Sequence, residues 1–195
     1  MIIVSNLNSE EFRYERKYLT DMMDFPELVS RVKMHPSAFK EIHEERRINN
    51  IYLDYEDLKN YKDSVEGNRE RLKVRIRWYG ETFDNVKPVL EIKIKDGLQG
   101  KKMSFPLASF VFYKDFSNKE LWSVFSRSNL PSWVLEKLKS YKMVLLNNYK
   151  RRYFLSGNKK VRMTLDYDQE FYELNSGKNR LNTKVKDSRT LVIEL

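Results

Sequence analysis

A chain of 195 residues with 41% hydrophobic and 13% aromatic residues can build a sizeable core and is not a disordered polyelectrolyte. The absence of cysteine and the presence of only two histidines, His35 and His43, exclude disulfide scaffolds, zinc fingers, cysteine nucleophiles and a His-based metal site. Lys and Arg number 37 against 28 Asp and Glu, a net charge of +9, which favours a polyanionic partner: nucleic acid, phosphates or an anionic membrane surface.

Residues 10–19 (EEFRYERKYL) alternate charged and aromatic side chains, the period of a half-buried strand. Residues 24–34 read as a helix, with Asp24 as cap, Pro26 in the first turn and a stripe of Leu28, Val29 and Val32. A second helix is expected over 36–43, a strand over 47–54 and a short helix over 55–64. Strands follow at 69–79 and 88–95, joined through Gly80 and Asn85, and another at 101–107. Ser117 and Glu120 form a capping box ahead of a helix, and 131–140 predicts a second one. The sheet resumes with 147–155, a turn at 156–158, then 159–167, 169–174, a turn at Ser176-Gly177 and a last strand over 189–195. The expected fold class is α+β: about eight antiparallel strands closing into a barrel, with short flanking helices.

The distribution of charge on these strands is the functional clue. In 69–77 the odd positions are Arg69, Arg71, Lys73, Arg75 and Arg77, while Leu72, Val74, Ile76 and Trp78 fill the even ones. Glu91, Lys93 and Lys95 oppose Leu90, Ile92 and Ile94; Lys160, Arg162, Thr164 and Asp166 oppose Val161, Met163, Leu165 and Tyr167. Each strand thus has an apolar face and a face rich in cations. A solvated basic surface is the competing reading. A solvated face usually mixes signs, however, and residues 137–165 hold nine Lys or Arg without one Asp or Glu. Facing like charges destabilise a sheet, and arginine's planar fork suits phosphate oxygens. In a closed barrel such a face becomes a basic tunnel for a linear polyanion. Glu15, Glu91 and Glu194, a few carboxylates among many cations, cannot be the main ligands of an anionic substrate, but they can hold one or two divalent ions bridging phosphates and protein. For Glu91, pairing with a neighbouring cation is the stronger alternative. Trp78, Trp122 and Trp133 read as core residues, and both histidines as structural.

The stretches RYERKY (13–18), HPSAFKEIHEERRINNIYLD (35–54), VEGNRERLKVRIRWYG (65–80), LEIKIKDGLQGKK (90–102), YKRRYF (149–154), VRMTLDYD (161–168) and LVIEL (191–195), in this order, resemble the VTC (vacuolar transporter chaperone) domain. That domain is a polyphosphate polymerase branch of the triphosphate tunnel metalloenzyme and CYTH superfamily. The resemblance implies one tunnel domain over 1–195, with Mn2+ or Mg2+ as helper. By resemblance Lys17 matches the lysine of the first tunnel strand, Arg75 and Arg77 the RxR pair, and Lys93 the ExK lysine beside Glu91. Lys102 resembles the next tunnel lysine. Tyr149 and Arg151 match a YxR element, Arg162 the arginine opening the following strand, and Glu194 the metal-binding glutamate. Arg13 stands where the superfamily often has an acid. The C-terminal closing helix of such domains is expected to be missing after Leu195.

The expected activity is metal-assisted transfer of the terminal phosphoryl of a nucleoside triphosphate to a growing polyphosphate chain. Arg75, Arg77, Arg151 and Arg162 would grip non-bridging oxygens, with Lys17, Lys93, Lys102 and Tyr149 completing the wall. Glu194, with Glu15, would hold the metal. Alternatives are a tripolyphosphatase in the same tunnel, a non-catalytic polyphosphate-binding module and nucleic-acid binding, for which no familiar motif is present. No apolar run reaches membrane-span length and the N-terminus lacks a signal-peptide pattern, so the expected location is the cytoplasm.

Overall fold

Alternating charged and apolar side chains on long strands demand a sheet with one dry side and one polar side, and helices to cover the dry one. The computed structural model describes residues 16–21, 25–97, 99–174 and 181–195. Its elements are β1 (Lys17–Asp21), α1 (Phe25–Met34), β2 (Lys40–Asp54), α2 (Lys59–Val65), β3 (Glu70–Tyr79), β4 (Asn85–Val86), β5 (Val89–Asp96), β6 (Gln99–Pro106) and β7 (Phe110–Val111). They continue with α3 (Asn118–Arg127), α4 (Ser132–Leu138), β8 (Lys142–Leu155), β9 (Arg162–Leu174), β10 (Leu181–Asp187) and β11 (Thr190–Glu194).

The fold is α+β. The main sheet is antiparallel and runs β1-β11-β9-β8-β2-β3-β5-β6, with β10 also on β9; β4 and β7 form a separate pair. Among the described residues β1 pairs with β11, β6 pairs with β5, and no ladder joins the two ends. The expected closure into a barrel is therefore not seen in the hydrogen bonding.

Two apolar clusters lie on the dry side. The larger one gathers Ile51 and Leu53 of β2, Val74, Ile76 and Trp78 of β3, and Leu90 and Ile92 of β5 under Leu121, Val124 and Phe125 of α3 and Val134 and Leu138 of α4. The smaller one packs Val29 and Val32 of α1 on Phe154, Leu165, Tyr167 and Leu191. The covering helices are locally specified. In α3, Glu120 N–H donates to Ser117 Oγ (3.1 Å) and Ser117 N–H donates to Glu120 Oε2 (2.8 Å), the reciprocal cap expected from sequence. In α1, Arg31 donates to Glu27 one turn earlier at 2.9 Å. The start of α2 is held by buried Asp54, whose carboxylate accepts the N–H groups of Tyr55, Asn60 and Tyr61 at 2.8–3.0 Å. Gly80, at φ 95°, ends β3 in a conformation that a Cβ disfavours.

Several expectations are corrected. Residues 36–43 are not a helix: a turn with Ala38 at φ 50° leads into β2 at Lys40. Pairing with β8 overrides local propensity there, and Arg152 clamps Glu41 with two bonds of 2.6 and 2.7 Å. The strands expected at 159–167 and 169–174 are one strand, β9, in which Asp168 takes φ 52° and a bulge opposite Asn148–Lys150 absorbs the irregularity. The strand β10 was not foreseen. Trp133 is half exposed, edge-on to Phe105 rather than in the core. Residues 10–15 of the first expected strand and the Ser176-Gly177 turn lie outside the described residues.

Candidate functional site

The wet side of the sheet is organised in rows, because antiparallel register fixes which side chains stand abreast. Arg71 stands beside Lys95. The next row holds Lys73, Lys93 and Lys102; the next Tyr52, Arg75, Glu91 and Ser104; the next Asn147, Asn50 and Arg77. Beyond them come Tyr149, Ile48 and Tyr79, and then Asp166, Arg151 and Arg46. Rows two residues apart on a strand are separated by about 7 Å.

One ion cluster is centred on Glu91. Arg75 Nε donates to its Oε2 at 2.7 Å, Arg75 Nη2 lies 2.6 Å from the same oxygen, and Lys102 Nζ is 2.6 Å from Oε1. Arg77 Nη1 approaches to 4.0 Å. Burial pushes the Glu91 carboxyl up, but the charges of Arg75 and Arg77 and the Lys102 bond outweigh it and hold the group at about 2. Three cations therefore share one anion, with Lys73 and Lys93 in the next row. Arg77 is further fixed by Asn50, whose Oδ1 accepts from Nε at 2.8 Å, and by the Tyr149 hydroxyl at 3.3 Å from Nη2. Asn50 in turn donates to Asn147 Oδ1 at 3.0 Å. These bonds orient the guanidinium across three strands while using only part of its donor capacity.

The other cluster is centred on Arg151. Its Nε and Nη2 fork onto Asp166 Oδ1 and Oδ2 at 2.5 and 2.6 Å, and Nη2 also donates to Glu194 Oε2 at 3.3 Å. Lys17 Nζ lies 3.4 Å from the same Glu194 oxygen. Burial raises the Asp166 carboxyl against the pull of Arg151. Thr164 faces Glu194 in register, and its hydroxyl is buried without a hydrogen-bond partner. The Tyr149 ring lies beneath Arg151, with the guanidinium carbon 5.4 Å from the ring centre; burial pushes the Tyr149 phenol up.

Of the residues singled out from sequence, Arg75, Arg77, Glu91 and Lys102 come together, Tyr149 bonds Arg77 from two strands away, and Arg151, Glu194 and Lys17 form the second group. Tyr149 also buries its ring. Lys93 is exposed between Lys73 and Lys102. Arg162 is exposed at the start of β9, two positions from Thr164 and four from Asp166. Glu15 lies outside the described residues. Sequence reasoning missed Asn50, Asn147, Tyr52, Asp166 and Arg46. Asp166 carried a signal, since it shares strand parity with Arg162 and Thr164; the asparagines carried none without the register.

Among the described residues no three His, Cys, Asp or Glu side chains are grouped for a metal ion. Arg151 forks onto both oxygens of Asp166, whereas Arg151 and Lys17 both meet Glu194 at its Oε2. One or two carboxylates fit a divalent cation that also binds phosphate oxygens, and not one that needs a full protein cage.

A family model, the VTC domain, matches residues 12–195. No curated protein matches the chain. Among solved structures, a proposed adenylate cyclase of Vibrio parahaemolyticus is 9% identical with a TM-score of 0.50, covering 95% of this chain and 77% of that one. The proposed adenylyl cyclase HpAC1 of Hippeastrum, described as revealing a dominant triphosphatase activity, is 13% identical at a TM-score of 0.49, covering 92% and 77%. The PH1819 protein of Pyrococcus horikoshii is 14% identical at 0.45, covering 93% and 77%. The likeness to the Vibrio protein concerns the fold.

Proposed function

Because the chain belongs to the VTC domain family, we propose that its charged face binds a triphosphate or a polyphosphate chain and supports transfer of a nucleotide's terminal phosphoryl to growing polyphosphate. The observation that carries this reading is the excess of positive charge around Glu91. Arg75, Arg77 and Lys102 converge on a single carboxylate, with Lys73, Lys93, Arg71 and Lys95 in the flanking rows. Three cations that share one carboxylate and are held in place by neighbours are a preorganised site for a linear anion.

Phosphoryl transfer asks the protein for positioning and charge neutralisation. Arg75 and Arg77 supply planar donor forks for non-bridging oxygens, and Asn50 and Tyr149 hold the second fork in place. Lys73, Lys93 and Lys102 continue the track along the chain direction. Arg151 meets phosphate from the far side, already half-neutralised by Asp166. Arg162, at the strand start, extends the cationic wall, and Lys17 neutralises phosphate or Glu194. A divalent metal, when bound, would screen charge between the transferring oxygens, and Glu194, with Glu15, would hold it. The remaining wall of the channel, closing the sheet into a barrel, belongs to the same proposal. The whole described chain then works as one domain, in the cytoplasm, and among the described residues no helix is long and apolar enough to cross a membrane.

The test is incubation of the full chain with Mn2+ and labelled ATP, tripolyphosphate or polyphosphate, following binding, chain growth and phosphate release. Arg75→Ala is expected to weaken anion binding at least tenfold, the loss of a charge-assisted contact. Glu194→Gln is expected to keep binding within about threefold and to stop metal-dependent turnover. Equal behaviour of the wild type and both variants contradicts the assignment. Phosphate release without chain growth makes water the acceptor.

A further inference from the structure

We propose that Arg46, held between the rings of Tyr79 and Tyr153, forms a nucleobase-stacking subsite at one end of the charged face, so that a nucleoside triphosphate lies with its base there and its phosphates toward Arg77 and Arg75. This rests on the triphosphate reading above and adds to it the part of the ligand that is not phosphate.

The Arg46 guanidinium carbon lies 5.7 Å from the centre of the Tyr79 ring and 5.7 Å from that of Tyr153. Among the described residues these rings are its only partners, whereas Arg75, Arg151 and Arg152 each have a carboxylate and Arg47 bonds Asn148. An arginine left without a counter-charge directly opposite Arg151 in the β2–β8 ladder is electrostatically unfavourable. Among the described residues its contacts are with these two ring faces, flat π surfaces that offer no fixed acceptor. Arg46 is exposed and Tyr79 is 54% exposed, so the flat surfaces are accessible. His43 packs edge-on against Tyr153 at 5.4 Å.

Nucleobases stack on tyrosine rings and on guanidinium planes, and such stacking tolerates any base. Position favours a nucleotide over an isolated aromatic ligand. Arg46 shares a row with Arg151, and Arg77 and Arg75 lie two and three rows further along, about 14 and 20 Å. A base in the first row places a triphosphate in the following ones. Stacking tolerates any base, so the subsite distinguishes nucleotide from inorganic phosphate rather than one base from another.

The experiment is a titration of ATP and of inorganic tripolyphosphate, each with the wild-type chain, Tyr79→Ala, Tyr79→Phe and Arg46→Lys. Tyr79→Ala is expected to weaken ATP about tenfold and tripolyphosphate less than twofold. Tyr79→Phe keeps the ring and both affinities. Arg46→Lys keeps the charge but loses the plane, and weakens ATP alone by several-fold. Equal weakening of both ligands makes Arg46 and Tyr79 part of the phosphate site and overturns the subsite. So does unchanged ATP affinity in Tyr79→Ala and Arg46→Lys. A wild type that binds tripolyphosphate and ATP equally tightly overturns the subsite while leaving the phosphate reading intact. A wild type that binds neither overturns both.

Discussion

Glu91 and Asp166 are both buried carboxylates that face arginine on the same side of one sheet, yet their charge surroundings are opposite. Glu91 is shared by Arg75, Arg77 and Lys102, a group with positive charge to spare. Asp166 and Glu194 together face Arg151 and Lys17, a group that balances. The first group is suited to receive an anion; the second holds its arginine closely and keeps one carboxylate open for a cation. Two similar-looking ion clusters thus serve different ends, and the distinction lies in counting charges rather than in bond lengths.

The largest expected effect separates the clusters by stability. Asp166→Ala leaves Arg151 buried with Glu194 as its remaining acid, and is expected to destabilise the fold by about 3 kcal/mol or more, measured by chemical denaturation. Tripolyphosphate restores little of it. Glu91→Gln also strips a buried partner from Arg75, but there the added anion replaces the lost charge, so tripolyphosphate raises the midpoint of the variant more than that of the wild type. Equal rescue of the two variants breaks the comparison.

The next effect is on pH dependence. The Glu91 carboxyl is held at about 2 in the folded chain against 4.5 for the free group. Its contribution is complete above the unfolded value and is lost as pH falls from 4.5 toward 2, up to about 3 kcal/mol in all. Glu91→Gln is expected to flatten the acid limb of a stability-versus-pH curve. Asp166 works with the opposite sign: burial raises its folded pKa, so acidification through that value relieves a cost. An acid limb that is unchanged in Glu91→Gln contradicts the charge count. The smallest effect is that of Lys102→Ala, whose half-exposed ammonium is screened by water; a two- to fivefold loss of tripolyphosphate affinity is expected from titration.

The parity of charge along 69–77 and 91–95 already places Arg75, Arg77, Glu91 and Lys93 on one face, and the Ser117/Glu120 box already starts α3, because both features are local. The stretch 36–43 misleads because its strand character comes from β8, more than a hundred residues away, through the Arg152–Glu41 clamp. Asn50 and Asn147 become site residues only through register, which sets them abreast of Arg77. Arg162 and Arg151 share a charge and a resemblance, yet one stands exposed at a strand start and the other is forked onto Asp166. Burial separates them, and a strand's ends are the least local of its properties.

The central claim is that the cations around Glu91 form a phosphate-binding site. Titration of tripolyphosphate into the wild-type chain and into Arg75→Ala/Arg77→Ala, at several salt concentrations, tests it most directly. The account predicts binding that weakens steeply with salt in the wild type and falls on the order of a hundredfold in the double variant, with the fold still intact by circular dichroism. Wild-type binding that survives unchanged in the double variant, or no binding at low salt, contradicts it.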